Sequence, residues 1–161
     1  MNQIFFMDID GCLNDHTRHS QLGYCTIDKA AAERFNKLLW YTNGSFVLTS
    51  AWRYLVHSES MNLQGLKNLL LSHWMDGNRL IGITRKDEIG NGYQIKYGER
   101  ATQIYEYLGS FEKIPNYIVI DDLDFSQFFN PQNFYRVNGK VGLTDNDILN
   151  ILERLNDQKD I

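Results

Sequence analysis

An apolar run, Ile4-Phe5-Phe6-Met7, stops abruptly on Asp8-Ile9-Asp10-Gly11. A short apolar run with a sharp polar stop predicts a strand buried on both faces, the kind found in parallel sheets covered by helices. Side chains two apart on a strand share a face, so Asp8 and Asp10 are expected in one pocket at the strand's carboxyl end. Gly11 permits a tight turn and the close approach of a ligand. In open α/β sheets ligands bind at that edge. Two neighbouring carboxylates repel each other unless a cation lies between them or their pKa values are split. Both remedies point to chemistry.

Downstream, apolar segments of strand length alternate with helical patterns. Residues 12–26 are polar and irregular and carry Asp15, His16, Arg18 and His19. A helix is expected from Thr26 or Asp28, either of which can cap it, with Ile27, Ala31, Phe35 and Leu38 inward. After the turn signal Asn43-Gly44, Ser45-Phe46-Val47-Leu48 reads as a second buried strand ending in Thr49 and Ser50. A helix over 60–75 would bury Leu63, Leu66, Leu70 and Trp74, and residues 79–84 read as a third strand. Residues 85–97 read as loop. A helix over 100–108 places Ala101, Ile104 and Leu108 on one face, with Gly109 at its end. Tyr117-Ile118-Val119-Ile120 is a fourth strand ending in Asp121-Asp122, and residues 133–137 form a fifth. The last helix is announced by Thr144 and Asp147 at capping-box spacing, flanked by the staple pair Leu143 and Ile148, with a core face of Ile148, Ile151, Leu152 and Leu155.

Alternation of this kind implies right-handed βαβ units: a Rossmann-like, mainly parallel five-stranded sheet sandwiched by helices. The 161 residues are expected to form one domain, since there is no linker, repeat or low-complexity tract and only two prolines. A hydrophobic share of 43% suits a soluble protein, and no apolar run approaches membrane-spanning length. The amino-terminal run has no basic segment before it, so a signal peptide is not expected. Cys12 and Cys25 are too few for a disulfide framework, which favours a reducing, cytoplasmic setting. A net charge of −4 argues against a surface that coats nucleic acid, although a local basic patch remains compatible with it.

Three of these strands end in chemistry: Asp8/Asp10, Thr49/Ser50 and Asp121/Asp122. In a parallel sheet those ends share one edge. Hard oxygen donors with room for water suit Mg²⁺, and Mg²⁺ among carboxylates is a natural partner for a phosphoryl group.

The order of motifs resembles the haloacid dehalogenase superfamily. Phe6-Met7-Asp8-Ile9-Asp10-Gly11 matches its first motif, Val47-Leu48-Thr49 its second, and Val119-Ile120-Asp121-Asp122 its fourth. The Asp8-x-Asp10 pair is that of the phosphatases in the superfamily. The resemblance implies Asp8 as the nucleophile that forms an aspartyl-phosphate and Asp10 as general acid and base. It implies Mg²⁺ held by Asp8, the backbone carbonyl of Asp10 and Asp121, with Asp122 as a further ligand or outer partner. Thr49 would bind phosphoryl oxygens, with Ser50 as the alternative register. The cationic third motif is Arg100 or Lys96, and the sequence does not choose between them.

A closer similarity is to the small domains of this superfamily associated with RNA repair. It rests on Thr49-Ser50-Ala51-Trp52-Arg53, Gly82-Ile83-Thr84, Arg100 with Ile104, and Gly142-Leu143-Thr144. Polynucleotide 3′-phosphatases also carry an arginine just after the second motif, which implies that Arg53 binds the substrate phosphate or backbone. The gaps at 12–26 and 85–99 are too short for a folded cap, so a large substrate such as a polynucleotide end or a protein has access. The expected partner is a phosphomonoester, with no membrane involved.

Other readings use the same residues. Cys12 and Arg18 have the Cys-x5-Arg spacing of tyrosine phosphatases, but the intervening residues lack glycine and include Asp15, and Asp8 and Asp10 would be left without a role. A small-molecule or protein phosphatase would share the aspartyl mechanism; a mutase would need a cap. A phosphoacceptor receiver would place its aspartate at the end of the third strand, where Gly82-Ile83-Thr84 stands, and a binding module retained without turnover would commonly lose the nucleophile. His16 and His19 are expected in a solvated loop, His57 and His73 are assigned no role, and Trp40, Trp52 and Trp74 are assigned to core or rim packing. Arg79, Arg85, Lys86, Lys96, Asp87 and Glu88 are expected on a solvated face.

Overall fold

The computed structural model describes residues 3–15, 26–87 and 97–157. His16, Arg18, His19, Cys25, Glu88 and Lys96 lie outside these residues. Strands β1 (Ile4–Met7), β2 (Ser45–Leu48), β3 (Leu80–Ile83), β4 (Tyr117–Asp121) and β5 (Phe134–Arg136) form a sheet in the order β3-β2-β1-β4-β5. Every pairing is parallel. The helices are α1 (Lys29–Thr42), α2 (Tyr54–His57), α3 (Leu63–Ser72), α4 (Tyr97–Leu108) and α5 (Asp145–Asp157). The result is a Rossmann-like sandwich with no folded cap among the described residues.

Alternation along the central strands divides the interior into two cores. Phe5, Met7, Phe46, Leu48, Ile118 and Ile120 face α1, α3 and α5, where they meet Phe35, Leu70 and Ile151. Phe6, Val47 and Val119 face the other way, against Ala101, Ile104 and Leu108 of α4. Burial of each large side chain contributes roughly 1.5–3 kcal/mol. Phe35 links helix to sheet through edge contacts to Phe5 (6.1 Å) and Phe46 (5.4 Å).

Local signals set the helix ends. Asp28 caps α1, its Oδ1 accepting from Ala31 N at 3.0 Å. The capping box before α5 forms in both directions: Thr144 N donates to Asp147 Oδ2 (2.7 Å), and Asp147 N donates to Thr144 Oγ1 (3.2 Å). Gly142 has φ +77°, and a Cβ there would lie 3.2 Å from the carbonyl oxygens of Cys12 and Asn14. Its neighbour Leu143 donates to Cys12 O at 2.7 Å, so the chain entering α5 packs directly on the turn after β1.

Four sequence expectations need correction. The helix expected over 60–75 is shorter: α3 covers Leu63–Ser72 and ends before Trp74, and a turn at Ala51–Arg53 and α2 precede it. Trp74 has φ +64° and is half exposed, because the chain leaves the helix at His73 and the apolar period no longer applies. Trp40 is 70% exposed, on the outer side of α1. The helix expected from residue 100 begins three residues earlier, at Tyr97. No helix of the described residues is long and apolar enough to cross a membrane.

Candidate active site

The residues that follow the strands line up in one row. Asp8 N donates to Ile120 O (3.1 Å), Thr49 N to Met7 O (3.0 Å) and Thr84 N to Leu48 O (3.1 Å). Asp121, Asp8, Thr49 and Thr84 therefore stand side by side across β4, β1, β2 and β3. Asp8 has the parity of Phe6, Thr49 that of Val47 and Asp121 that of Val119, which directs all three toward the α4 side. Arg100, in the first turn of α4, meets Asp8 and Asp121 there. All four residues of the row are buried, as is Arg100.

Charge is tightly arranged around Asp8. Arg100 Nη1 lies 2.5 Å from Asp121 Oδ2 and 3.5 Å from Asp8 Oδ2. Leu123 N donates to the other oxygen of Asp121 at 2.9 Å. Burial, then Asp121, push the Asp8 carboxyl up to about 8, against the pull of Arg100. Asp121 is also raised, by burial, with Arg100 opposing. Arg100 is held fully charged: burial disfavours its cation, and Asp121 and Asp8 more than offset that cost.

The turn after β1 supplies Asp10. The strand ends at Met7 and Asp10 lies in the turn that follows, so Asp10 is placed by that turn rather than by strand alternation. Gly11 makes that turn at φ 79°. Asn14 organises it: its Oδ1 accepts from Gly11 N (2.8 Å), and its Nδ2 donates to Asp10 Oδ1 (3.1 Å) and Thr26 O (3.0 Å). Asn14 was not foreseen as a site residue, although an asparagine three residues after a turn glycine was a usable signal.

Ligand atoms of Asp8, Asp122 and Cys12 lie within 4.8 Å of one another. The two carboxylates fit a hard divalent cation, whose charge would oppose the burial and neighbouring carboxylates that raise Asp8. Cys12 is completely buried, and burial followed by Asp8 and Asp121 drives its thiol far above the ordinary range. That is the opposite of the environment an attacking thiolate needs.

The two hydroxyls after β2 differ in use. Ser50 Oγ accepts from Trp52 N (3.3 Å) and starts the turn at Ala51–Arg53. Thr49 Oγ1 is buried and has no partner among the described residues. Arg53 turns inward: it donates to Thr49 O (2.5 Å), Arg85 O (3.2 Å), Asp87 Oδ1 (3.0 Å) and Gln103 Oε1 (3.5 Å). Asp87, placed by its sequence neighbourhood on a solvated face, is instead a half-buried acceptor for Arg53, Gln103 and Tyr54. Arg85 pairs with Glu99 (3.5 Å) and Glu106 (2.5 Å) on α4, so that segment is tied to the fold. His57 Nε2 meets Thr84 O at 2.9 Å.

The family described as "HAD domain in Swiss Army Knife RNA repair proteins" matches residues 4–148, which include every described residue of this row and Arg100. No curated protein and no solved structure matches the chain. A match of that extent, over a parallel sheet carrying the superfamily's motifs at one edge, places the chain in the haloacid dehalogenase superfamily as a HAD domain of the kind found in Swiss Army Knife RNA repair proteins.

Proposed function

We propose that this chain is a Mg²⁺-dependent phosphomonoesterase that works through an aspartyl-phosphate on Asp8, with polynucleotide 3′-phosphate ends as its substrate. The observation that carries the reading is the contact of Arg100 with buried Asp8, next to which in the row stands Thr49, whose buried hydroxyl has no partner among the described residues. A carboxylate flanked by a fixed cation and a free donor suits attack on a phosphoryl group. Asp8 Oδ would bond to phosphorus as the ester bond breaks, and Asp10 would protonate the departing oxygen. Asp10 would then take a proton from water, whose oxygen attacks phosphorus and frees Asp8 with release of phosphate. Asn14 holds Asp10 for this work. Arg100 would offset charge on the nucleophile and phosphoryl group, and Thr49 Oγ1 would donate to a phosphoryl oxygen.

Asp8, Asp122 and the backbone carbonyl of Asp10 would hold Mg²⁺, which supplies the positive charge that keeps Asp8 ionised near neutral pH and offsets the phosphoryl oxygens. The family's association with RNA repair proteins supports the choice of a nucleic-acid end. Lack of a folded cap among the described residues is compatible with a substrate of that size.

The test is phosphate release from a 3′-phosphorylated oligonucleotide and from phenyl phosphate, with Mg²⁺ or EDTA, for the native protein, Asp8→Asn and Cys12→Ser. The expected result is activity that EDTA and Asp8→Asn abolish and Cys12→Ser retains, with the oligonucleotide favoured. Preference for phenyl phosphate would move the substrate to small phosphomonoesters. Activity that survives EDTA and vanishes in Cys12→Ser would overturn the mechanism.

A further inference from the structure

We propose that Arg53, Asp87 and Gln103 form a positioning clasp that holds Thr49 and Arg100 in register across the phosphoryl site, and that Arg53 does not touch the substrate. The inference rests on the functional reading above and adds residues to it.

The argument begins with the guanidinium. Arg53 is 2% exposed, and its donors are directed at four protein oxygens on three separate segments. A guanidinium has five N–H donors in a rigid fork, so this set leaves little to offer an anion arriving from solvent. The fork faces Thr49 O on the same residue whose hydroxyl has no partner among the described residues. Fixing that carbonyl restricts the backbone that aims the hydroxyl.

Asp87 passes the connection on. Its Oδ1 accepts from Arg53 and from Gln103 Nε2 (2.7 Å), while Oδ2 accepts from the Tyr54 hydroxyl. The Tyr54 ring lies under the Arg53 guanidinium at 4.9 Å, so the arginine is held from below as well as in its plane. Gln103 is buried and stands three residues after Arg100, on the same side of α4. Arg100 in turn meets Asp8, and Thr49 N is bonded to Met7 O beside Asp8. With α4 joining Arg100 to Gln103, the contacts thus close a circuit: Asp8, Arg100, Gln103, Asp87, Arg53, Thr49 and back to β1. Without it, Thr49 and Arg100 would be related only through Asp8 and β1 and the packing of α4 on the sheet.

A side chain in this role changes turnover more than binding, because displacement of reacting groups by an ångström is felt in the transition state. Arg53→Lys keeps the charge and loses the fork, Asp87→Asn removes the anion, and Gln103→Met keeps length and helix propensity while losing the bond. Leu70→Ala, in the other core, serves as a control for lowered stability alone.

The experiment measures kcat and KM on phenyl phosphate and on the 3′-phosphorylated oligonucleotide for the native protein and these variants, together with thermal unfolding. The clasp predicts kcat lower by on the order of 10–100-fold on both substrates, KM within about threefold of native, and kcat nearly native in Leu70→Ala. It also predicts that Arg53→Lys and Gln103→Met are non-additive in the double variant. A rise in KM confined to the oligonucleotide would show that Arg53 contacts substrate and would overturn the proposal. Equal loss in Leu70→Ala, or additive single effects, would overturn it as well. Failure of the functional reading is seen separately, in the native protein, as no hydrolysis of either substrate, and it would remove the positioning role too.

Discussion

Arg100 Nη1 approaches Asp121 Oδ2 to 2.5 Å, closer than the 3.5 Å that separates it from Asp8 Oδ2. With Leu123 N on its second oxygen, Asp121 is engaged on both sides, and Asp122 is the member of the pair that stands with Asp8. Two adjacent aspartates that look equivalent in sequence therefore have different surroundings: one buries an ion pair, the other meets the turn after β1.

The difference is measurable. Asp122→Asn is expected to weaken Mg²⁺ binding on the order of tenfold or more with little loss of stability. Asp121→Asn leaves Arg100 buried with less compensation and is expected to cost about 3–5 kcal/mol. Titration calorimetry with Mg²⁺ and thermal unfolding check the two. The reverse ranking would mean that Asp121 is the cation ligand.

Stability should depend on pH through Asp8. Its carboxyl in the folded protein is raised from 3.8 to about 8, so the folded state binds that proton more tightly than the unfolded chain. The contribution is fully present below the unfolded value and is lost as pH rises through the folded one. Metal-free protein should thus lose stability between about pH 4 and pH 8, and Mg²⁺ should raise the melting temperature more at about pH 8 than at about pH 5. Asp87 and Asp124 are held below their usual range and titrate under that window. Metal-free protein that became more stable across the window would contradict the assignment.

Thr49 offers a test in which stability and activity move oppositely. Its buried hydroxyl has no partner among the described residues, and an unmet buried group costs roughly 1–3 kcal/mol. Thr49→Val should leave stability unchanged or raise it by about 1 kcal/mol, while lowering kcat on the order of 100-fold. Thr49→Ser should keep most of the activity. A valine variant with native kcat would remove Thr49 from the phosphoryl site.

The strands were legible because each is a short apolar run with a polar stop, and the parallel sheet followed from their alternation with helices. The caps at Asp28 and at Thr144 with Asp147 were legible for the same reason, since each acts over three residues. Trp74 was misread where a helical period was extended past the residue at which the helix ends. Asp87 was misread because neighbouring charges suggested a solvated face, whereas its partner Arg53 lies 34 residues away in the chain.

By itself, the sequence determined which polar residues end the strands and which sheet edge they reach, because strand parity and polar stops are short-range properties. It did not choose between Arg100 and Lys96 for the cation; it put Thr49 before Ser50 and, through the family resemblance, Asp121 before Asp122 as the cation ligand. Tertiary structure kept the first order and reversed the second: Ser50 caps a turn while the Thr49 hydroxyl has no partner among the described residues, and Asp121 takes Arg100 while Asp122 stands with Asp8. It also brought Arg100 to the row, and Arg53 to Asp87 and Gln103. The physical reason is reach. Periodicity and capping act within a few residues, but the partner of a buried charge is chosen by whatever the packed helices bring within hydrogen-bonding distance, and a local pattern does not encode that.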